Sequence, residues 1–506
     1  MALPGWLDPL YEAAEMRAVD AWAIEEQGVP SLDLMERAGI GLARIVAEVA
    51  RPGRLRVVAG KGNNGGDGLV VARLLREEGR EVDVLITGDP AELKGDARAN
   101  LERLPGAGPE PFDPDRLAGS GAIVDAMLGT GFEGEPREPI RSAIDAINAQ
   151  DGTPVVACDV PSGVNASTGE VEGAAVRADA TGTFHGSKVG LHVAPGTFHS
   201  GQVRIVEIGV PRGAPEPATF GLITRRVLDL VPHRPRDGSK FKSGVVVIAG
   251  GSKGLTGAPT MVALAAQRTG AGYVQVAVPQ SAEQALELRL LEAMTRGMPE
   301  TDGGMHTEEG AAGVAEMAAR AGAVVLGPGL GKGDGPTAFA HAVIAAVEVP
   351  LLVDADGLNA FAGAIEKLAQ RNAPTVLTPH AGELGRLLDI DSSEVERRRL
   401  HHAREAAERS RCVVLLKGDD TIVAAPGGPV AISPGATPAL ATAGTGDVLS
   451  GIIGALLSKG LAPFEAAAAG ALAHGRAGIH AAEAIGGADH VVAGDVIDSI
   501  PAAFNR

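Results

Sequence analysis

Short apolar runs alternate with amphipathic stretches along most of the chain, and many of these runs are followed by glycine. In the first half the apolar runs lie at 55–59, 82–86, 122–125 and 155–158. Apolar positions with helical spacing lie at 69–78 and 139–149. Runs of this length predict buried strands, and the stretches between them predict helices. Strands that alternate with helices predict a mostly parallel sheet with helices on both faces.

A charged, proline-rich stretch at 211–235 interrupts this pattern and predicts a domain boundary. The apolar runs then resume at 245–248, 273–278, 323–326, 350–354 and 375–379. We therefore predict an α/β protein with two Rossmann-like, three-layer αβα domains, at 1–220 and 221–506. An alanine-rich stretch at 465–484 predicts a buried or amphipathic helix.

Composition and charge narrow the range of partners. With a net charge of -18 and 3% aromatic residues, the chain is not expected to bind nucleic acid or an anionic membrane non-specifically. We find no signal segment and no apolar run long enough to span a bilayer. Cys158 and Cys412 lie in strand-like runs, so we expect buried free thiols and a reducing, cytoplasmic location.

The strongest chemical signal is a glycine turn, Gly444-Thr445-Gly446-Asp447, that leads directly into an apolar helical pattern. Small residues let backbone N–H groups converge at a helix start, where the macrodipole favours an anion such as phosphate. A carboxylate there can accept a proton from a hydroxyl as phosphate is transferred to it. The turn therefore predicts phosphoryl transfer to a small molecule, with Asp447 as the base.

Four more segments accompany this turn at predicted strand ends. Two are glycine-rich loops, at 250–259 and 327–331, although the first of these has the alternative of a simple tight turn. The third places His380 three residues before Glu383, which suits a magnesium ion held through water, or alternatively a helix-dipole partner. The fourth, at 417–421, suits the phosphates of a nucleotide.

In this order the segments resemble the ribokinase-like superfamily of kinases. Members commonly have Asn-x-x-Glu where this sequence has His380 before Glu383, as in the branch of ADP- or ATP-dependent NAD(P)H-hydrate dehydratases. The resemblance covers about residues 240–504 and implies a ribokinase-like domain that uses magnesium with ADP rather than ATP. The implied contacts to the hydrated dinucleotide are Ala258, Gly329, His380 and Asp447, and those to the nucleotide are Lys417, Gly418, Asp419, Asp420, Thr421 and Gly446.

A second glycine-rich segment, at 60–68, follows a predicted strand. It matches neither the common dinucleotide motif nor the P-loop, but its amides and carbonyls suit a ligand-binding nest. Asp125 and Asp159 end later strands, so both would project into one cleft, unless they only cap the following turns. Oxygen ligands from Asn64, Asp125 and Ser162 suit a hard monovalent cation. Lys188 would reach the same pocket, unless it is an exposed loop lysine.

These motifs resemble the NAD(P)H-hydrate epimerase domain across about residues 16–208. The resemblance implies a potassium ion at Asn64, Asp125 and Ser162, with Asp159 as the acid/base group and Lys188 stabilising charge. One departure is Ile140, where relatives commonly have an aromatic residue. The implied contacts to the hydrated dinucleotide are Asn63, Asn64, Gly65, Gly66, Asp67, Gly129, Thr130, Gly131, Phe132, Glu133, Gly134, Glu135 and Asp159.

Both halves in this order resemble bifunctional NAD(P)H-hydrate repair enzymes. Such an enzyme would interconvert the R and S hydrates of NADH and NADPH and dehydrate the S form at the expense of ADP, releasing AMP and phosphate. The resemblance also implies small-molecule substrates and a homo-oligomer, with a tetramer favoured. Two alternatives stay open: a kinase for a vitamin precursor, and an N-terminal domain that binds nucleotide without catalysis.

Overall fold

The computed structural model describes residues 3–234, 236, 239–435 and 437–505. Its residues divide into two compact units, each with its own sheet. The first consists mainly of Pro9–Phe220, and the second of Pro4–Asp8 and Gly221–Arg506. Among the described residues, no helix is both long and apolar enough to cross a bilayer.

The first unit is an αβα sandwich. Its strands are β2 (Leu55–Ala59), β3 (Val82–Ile86), β4 (Glu110–Pro111), β5 (Ala122–Ala126), β6 (Val155–Cys158), β7 (Ala180–Phe184) and β8 (Gln202–Val206). Its helices are α1 (Ala13–Ala21), α2 (Ser31–Val49), α3 (Asn63–Glu77), α4 (Gly95–Arg103), α5 (Ile140–Asn148) and α6 (Thr197–Ser200).

The first sheet has the strand order β4-β3-β2-β5-β6-β7-β8, and every described pairing in it is parallel. The strand order reverses between β2 and β5, which is where open parallel sheets bind ligands beyond their carboxyl ends. Helices pack on both faces, so most strand residues are buried.

The second unit has the same layered architecture around a larger sheet. Its strands are β1 (Leu7–Leu10), β9 (Phe220–Ile223), β10 (Val245–Ala249), β11 (Tyr273–Pro279), β12 (Met294–Met298), β13 (Ala323–Leu326), β14 (Leu351–Val353), β15 (Thr375–Leu377), β16 (Val413–Leu416), β17 (Ile422–Ala424) and β18 (Val430–Ile432). Its helices are α7 (Gly257–Arg268), α8 (Gln280–Glu287), α9 (Gly310–Ala318), α10 (Asp334–Ala346), α11 (Asp356–Asn359), α12 (Ala381–Leu388), α13 (Ser392–Arg397), α14 (Arg399–Ser410), α15 (Thr445–Ser458), α16 (Pro463–Ile485) and α17 (Ala493–Ala503).

The second sheet has the strand order β1-β9-β18-β17-β16-β15-β14-β13-β10-β11-β12. Its centre, from β10 to β16, is parallel, and the β16-β17 and β17-β18 pairings are antiparallel. The strand order reverses between β10 and β13, and the apolar α15 packs against both strands. The α/β class and the layered architecture predicted from the sequence are confirmed. So is the alanine-rich helix, which is α16, and Cys158 and Cys412 are free and buried.

The start of α3 differs from the prediction made from the sequence. The segment at 60–68 was expected to be a loop before a helix at 69–78, but α3 begins at Asn63. The glycines allow close packing there rather than flexibility. A Cβ on Gly65 would lie 2.0 Å from the Gly60 carbonyl oxygen, and one on Gly68 would lie 2.6 Å from the Ala126 Cβ. The motif therefore presses the start of a helix against the carboxyl edge of the sheet.

We predict that Gly65→Ala destabilises the first unit by about 1–3 kcal/mol, the usual range for overpacking a close contact. The matched control is Gly62→Ala, because a Cβ on Gly62 meets nothing within 4 Å. Urea unfolding followed by circular dichroism measures both variants. Equal stability of the two variants would contradict this account of the motif.

Candidate active sites

In the first unit, Asp159 and Lys188 form a buried ion pair at the carboxyl edge of the sheet. Lys188 Nζ lies 2.6 Å from Asp159 Oδ1 and also donates to Thr183 Oγ1 at 3.0 Å and to the Phe184 carbonyl oxygen at 2.8 Å. The Lys188 side chain is only 1% exposed, so the alternative of an exposed loop lysine is excluded. The neighbouring strands β6 and β7 end just before the two residues and bring them together.

Asp159 is held in an ionised state. Burial raises its pKa, but the Lys188 ammonium and hydrogen bonds from Thr130 and from the Phe184 amide outweigh burial and lower the pKa below its usual value. The residue also has a φ of 64°, in the left-handed region that side chains other than glycine rarely adopt. Such strain is typical of functional positions, because the surrounding contacts must maintain it.

Asp67 lies in the first turns of α3, and its environment shifts its pKa in the opposite direction to that of Asp159. Burial, and then the negative charge of Asp159, raise the pKa of Asp67 well above its usual value. The pKa values of the two aspartates are therefore shifted in opposite directions, with Asp159 favoured in its ionised form and Asp67 shifted towards its protonated form. Environments that shift the pKa values of two carboxyl groups in opposite directions are typical of acid/base pairs.

The other predicted dinucleotide contacts in this unit differ in their accessibility. Thr130 donates a hydrogen bond to Asp159 Oδ2, and Gly129 lies against the Asn64 side chain. Asn63, Gly131, Glu133 and Glu135 are exposed, and Phe132 and Gly134 are half-buried. Gly65 and Gly66 are buried, with the space beside them filled by the Gly60 backbone and the Met35 side chain.

Asn64, Asp125 and Ser162 lie together beside Leu128. The Ser162 hydroxyl and amide donate to the two Asp125 carboxylate oxygens at 2.6 and 2.8 Å, and Asn64 Nδ2 donates to the Leu128 carbonyl oxygen at 2.8 Å. Asp125 is fully buried, and burial raises its pKa to about 6 against the hydrogen bonds from Ser162 and Met127. A buried carboxylate that accepts hydrogen bonds from the neutral groups of Ser162 and Met127, beside further oxygen atoms, fits a monovalent cation.

In the second unit, charged side chains converge at the carboxyl edge of the sheet. Lys417 Nζ lies 2.9 Å from Asp354 Oδ1 and 3.6 Å from Glu383 Oε2. Burial alone would lower the pKa of Lys417, but Asp354, Glu383 and Asp447 together outweigh burial and raise it. Three carboxylates therefore surround one ammonium group, and this excess of negative charge suits a divalent cation.

Asp447 lies in the first turn of α15. This helix begins directly after Gly444, whose φ of 92° lets the chain turn into the helix. The Thr445 hydroxyl fixes this turn by donating to the carbonyl oxygens of Leu440 and Thr442 at 2.7 and 2.9 Å. Burial, and then the Asp354 carboxylate, raise the pKa of Asp447 to about 7, while Lys417 lowers it. Asp447 is thus poised to accept a proton near neutral pH.

Sequence reasoning missed Asp354 as a site residue. It follows β14, is buried, and also accepts a hydrogen bond from Ser450 Oγ at 2.7 Å. Ser450 lies one helical turn after Asp447 on α15, so Asp354 links Lys417 to the helix that begins with the glycine turn. The available signal was an acidic residue at the end of an apolar run, the same signal that identified Asp125.

A cavity of about 350 Å³ opens beside the glycine turn, and its wall includes Lys417, Gly418, Asp419, Thr421 and Gly446. These are five of the six residues predicted to contact the nucleotide. The sixth, Asp420, is directed elsewhere, because its carboxylate accepts a hydrogen bond from Arg399 Nε at 2.8 Å and both side chains are buried. His474 also lines the cavity, and burial lowers its pKa to about 4, so its ring is neutral.

The remaining predicted residues lie at neighbouring strand ends. Gly329 and Ala258 touch, because a Cβ on Gly329 would lie 3.2 Å from that of Ala258. His380 is exposed and caps α12, accepting a hydrogen bond at Nδ1 from the Gly382 amide at 3.0 Å. Glu383 Oε2 accepts one from the His380 amide at 2.9 Å. Glu383 therefore does have the helix-terminus role that we weighed as an alternative, and the same carboxylate also faces Lys417.

The fold and the second site indicate the class of protein: a two-unit α/β protein with a candidate site for phosphoryl transfer. A family model described as NAD(P)H-hydrate dehydratase matches residues 245–501, and one described as YjeF-related protein N-terminus matches residues 31–190. The chain belongs to the family of bifunctional NAD(P)H-hydrate repair enzymes.

Relatives from distant organisms match almost the full length of the chain. The bifunctional NAD(P)H-hydrate repair enzyme of Salinibacter ruber is 42% identical, over 97% of this chain and 95% of the relative. That of Moorella thermoacetica is 39% identical, over 97% and 96%. Among solved structures, the ADP/ATP-dependent NAD(P)H-hydrate dehydratase from Bacillus subtilis, co-crystallised with ATP/Mg2+, is 26% identical. The match covers 57% of this chain and 99% of the Bacillus subtilis chain, with a TM-score of 0.46.

We predict that the Asp447 carboxyl group of the ligand-free protein titrates near pH 7 instead of 3.8. Carbon-13 NMR of aspartate-labelled protein measures this, with Asp447→Asn assigning the resonance. In Lys417→Gln the midpoint should rise, because the cation that stabilises the ionised form is removed. A midpoint near 4 in the unsubstituted protein would contradict the described electrostatics.

Proposed function

We propose that this chain repairs hydrated nicotinamide cofactors, with residues 1–220 as the NAD(P)H-hydrate epimerase and residues 221–506 as the dehydratase. The observation that supports this most strongly is the near-full-length similarity to enzymes named for that repair. Each unit also has a buried lysine–aspartate pair at the carboxyl edge of its sheet, where a substrate would bind. Its substrates would be the hydrates of NADH and NADPH, in which water has added across a ring double bond.

The first site suits epimerisation at the hydrated carbon. To invert that carbon, its C–O bond must break and a new one must form on the opposite face of the ring. Asp67, whose pKa is raised by burial, would donate a proton to the leaving hydroxyl group, which departs as water, and ionised Asp159 would take a proton from the incoming water. Solvent then restores both protonation states. Lys188 would keep Asp159 ionised, and Thr130 would orient its carboxylate.

A potassium ion fits the first unit, and Asn64, Asp125 and Ser162 would hold it. Its charge would offset the buried Asp125 carboxylate beside the dinucleotide loop at 129–135, where Gly129 contacts Asn64. Asp125 and Ser162 would then position that loop through the hydrogen bond from the Leu128 amide to Ser162 Oγ, at 2.9 Å.

The second site suits dehydration through a phosphate ester. Asp447 would remove the proton from the added hydroxyl as its oxygen attacks the terminal phosphorus of ADP, and AMP would leave. Phosphate would then depart from the ring carbon, and loss of a proton from the adjacent carbon would restore the ring double bond. Phosphorylation turns hydroxide, a poor leaving group, into phosphate, a good one, which gives a dehydratase a reason to use a kinase fold.

The cavity beside α15 would bind the nucleotide. Lys417, together with the backbone at 418–421 and Gly446, would contact the phosphates, and the neutral His474 would lie against the nucleoside part. Ala258, Gly329, His380 and Asp447 would contact the hydrated dinucleotide. A magnesium ion would offset the charge of the diphosphate, and Glu383 would hold it through water. The family resemblance further favours a homotetramer in the cytoplasm, which sedimentation and cell fractionation would test.

We predict that Asp447→Asn lowers the rate of NADH formation from the S hydrate by about 10²–10⁴, the usual contribution of a general base. The loss should affect kcat more than KM, because the amide is nearly isosteric but cannot take the proton. The 340 nm absorbance of regenerated NADH measures the rate. Epimerisation should continue in the same variant, and a normal dehydration rate would remove Asp447 from its assigned role.

We predict that Asp159→Asn slows R-to-S conversion by a similar factor while dehydration of the S hydrate stays normal. In a mixed hydrate pool with ADP, only the S half would then be consumed quickly, and the R half only as fast as spontaneous epimerisation allows. Chromatography of the two epimers over time measures this. Rapid consumption of both halves would show that Asp159 is not required.

A further inference from the structure

Basic side chains converge on a second cavity in the second unit, although the chain as a whole is strongly acidic, with a net charge of -18. The cavity has a volume of about 580 Å³, within the usual range for small-molecule sites. The basic side chains that line it are Arg225, Arg226, Arg234, Arg268, Lys459 and Arg476.

This basic cavity lies near the amino ends of the parallel strands, whereas the proposed phosphoryl-transfer site lies at their carboxyl ends. Arg234 donates to the carbonyl oxygens of Gly270 and Ala271, which precede β11. Lys459 Nζ lies 3.4 Å from where a Cβ on Gly270 would be. The neighbouring β10 and β11 are parallel, so their amino ends share one edge, whereas Asp354, Lys417 and Asp447 lie at the other. The basic cavity is therefore not an extension of the first nucleotide site.

Positive charge predominates in the basic cavity, where six arginine and lysine side chains and the acidic Asp229 are among the described lining residues. Arg225 and Arg476 both donate to the Asn505 carbonyl oxygen, at 3.0 and 3.1 Å, and Arg476 Nη1 is a buried nitrogen without a hydrogen-bond partner in the described structure. The carboxylate of Asp498 lies 3.5 Å from Arg268, and both side chains are exposed. Burial, and then the neighbouring Arg225, lower the pKa of Arg476, as expected for cations that repel each other.

A purely structural role explains only part of this cluster. Arg268 and Lys459 lie at the carboxyl ends of α7 and α15, where basic residues offset the helix dipole. Arg226 pairs with Asp8 at 2.6 Å. These contacts leave Arg225, Arg234 and Arg476, which donate hydrogen bonds to neutral carbonyl oxygens in the described part of the chain.

The wall of the basic cavity also has an apolar part, formed by Leu228, Val231, Pro232, Pro501 and Phe504. Guanidinium groups bind phosphate with charge-assisted hydrogen bonds, and an apolar, aromatic wall suits the flat face of a ring. We propose that this cavity is a second nucleotide site, which binds a ring-bearing diphosphate through Arg225, Arg234 and Arg476 and packs its ring against Phe504.

The test counts ADP bound per full-length chain by equilibrium dialysis with radiolabelled ADP. The double variant Arg225→Gln/Arg476→Gln removes two charges but keeps an amide donor for the Asn505 carbonyl oxygen. The matched control is Arg289→Gln/Arg320→Gln, which removes two exposed arginines elsewhere in the same unit. A third variant, Phe504→Ala, is measured with ADP and with inorganic tripolyphosphate. Dehydratase activity of each variant, measured with saturating ADP, confirms that the unit is folded.

We expect the double variant to bind one ADP fewer per chain than the wild type and the control bind. A weaker form of the same result is that ADP in the basic cavity binds at least tenfold more weakly. Phe504→Ala should weaken ADP at this site and leave tripolyphosphate unchanged. Equal ADP stoichiometry and affinity in the double variant and the control would overturn the proposal. An equal loss of ADP and tripolyphosphate in Phe504→Ala would overturn the assignment to nucleotides.

Discussion

In each unit a lysine ammonium lies against a buried aspartate carboxylate at the carboxyl edge of the parallel strands. Lys188 pairs with Asp159 in the first unit, and Lys417 pairs with Asp354 in the second. Removing Asp159 would leave the buried Lys188 ammonium without its carboxylate, which costs about 3–5 kcal/mol, whereas removing Asp354 would leave Lys417 with Glu383 and Asp447 as acidic neighbours. The pairs therefore fix the strand ends and loops that carry the remaining site residues, and they set the protonation states on which both proposed reactions depend.

The two pairs are similar in geometry but differ in their acidic neighbours. In the first unit, Lys188 and hydrogen bonds keep Asp159 ionised, while the nearby Asp67 is driven towards its protonated form. In the second unit, Lys417 is shared among Asp354, Glu383 and Asp447. Burial and the neighbouring charges then raise the pKa of Asp447 to about 7. One kind of interaction thus supports the proposed acid/base pair in one unit and the proposed single base in the other.

Much of the fold could be predicted because buried parallel strands leave a simple pattern of apolar runs that end in glycine. The start of α3 was missed, because five glycines within 60–68 suggested a flexible loop, whereas Gly65 and Gly68 allow the close approach of the helix to the sheet. Asp354 was missed, and the direction of the Asp420 side chain towards Arg399 was not foreseen, because side-chain directions depend on partners distant in sequence, here Lys417 and Arg399. A contact between Asp420 and a nucleotide stays a prediction. The opposite pKa shifts of Asp67 and Asp159 likewise depend on burial and on neighbouring charges, which one sequence does not reveal.

The central claim is that one chain recovers both hydrate epimers by coupling two reactions. The most direct measurement incubates the unmodified protein with an equal mixture of R and S NADH hydrates, magnesium and ADP, and follows both epimers, NADH, AMP and phosphate by chromatography. The account predicts complete conversion of both epimers to NADH, with one AMP and one phosphate released per NADH. Accumulation of a stable phosphorylated product without NADH, or consumption of the S epimer alone, would contradict it.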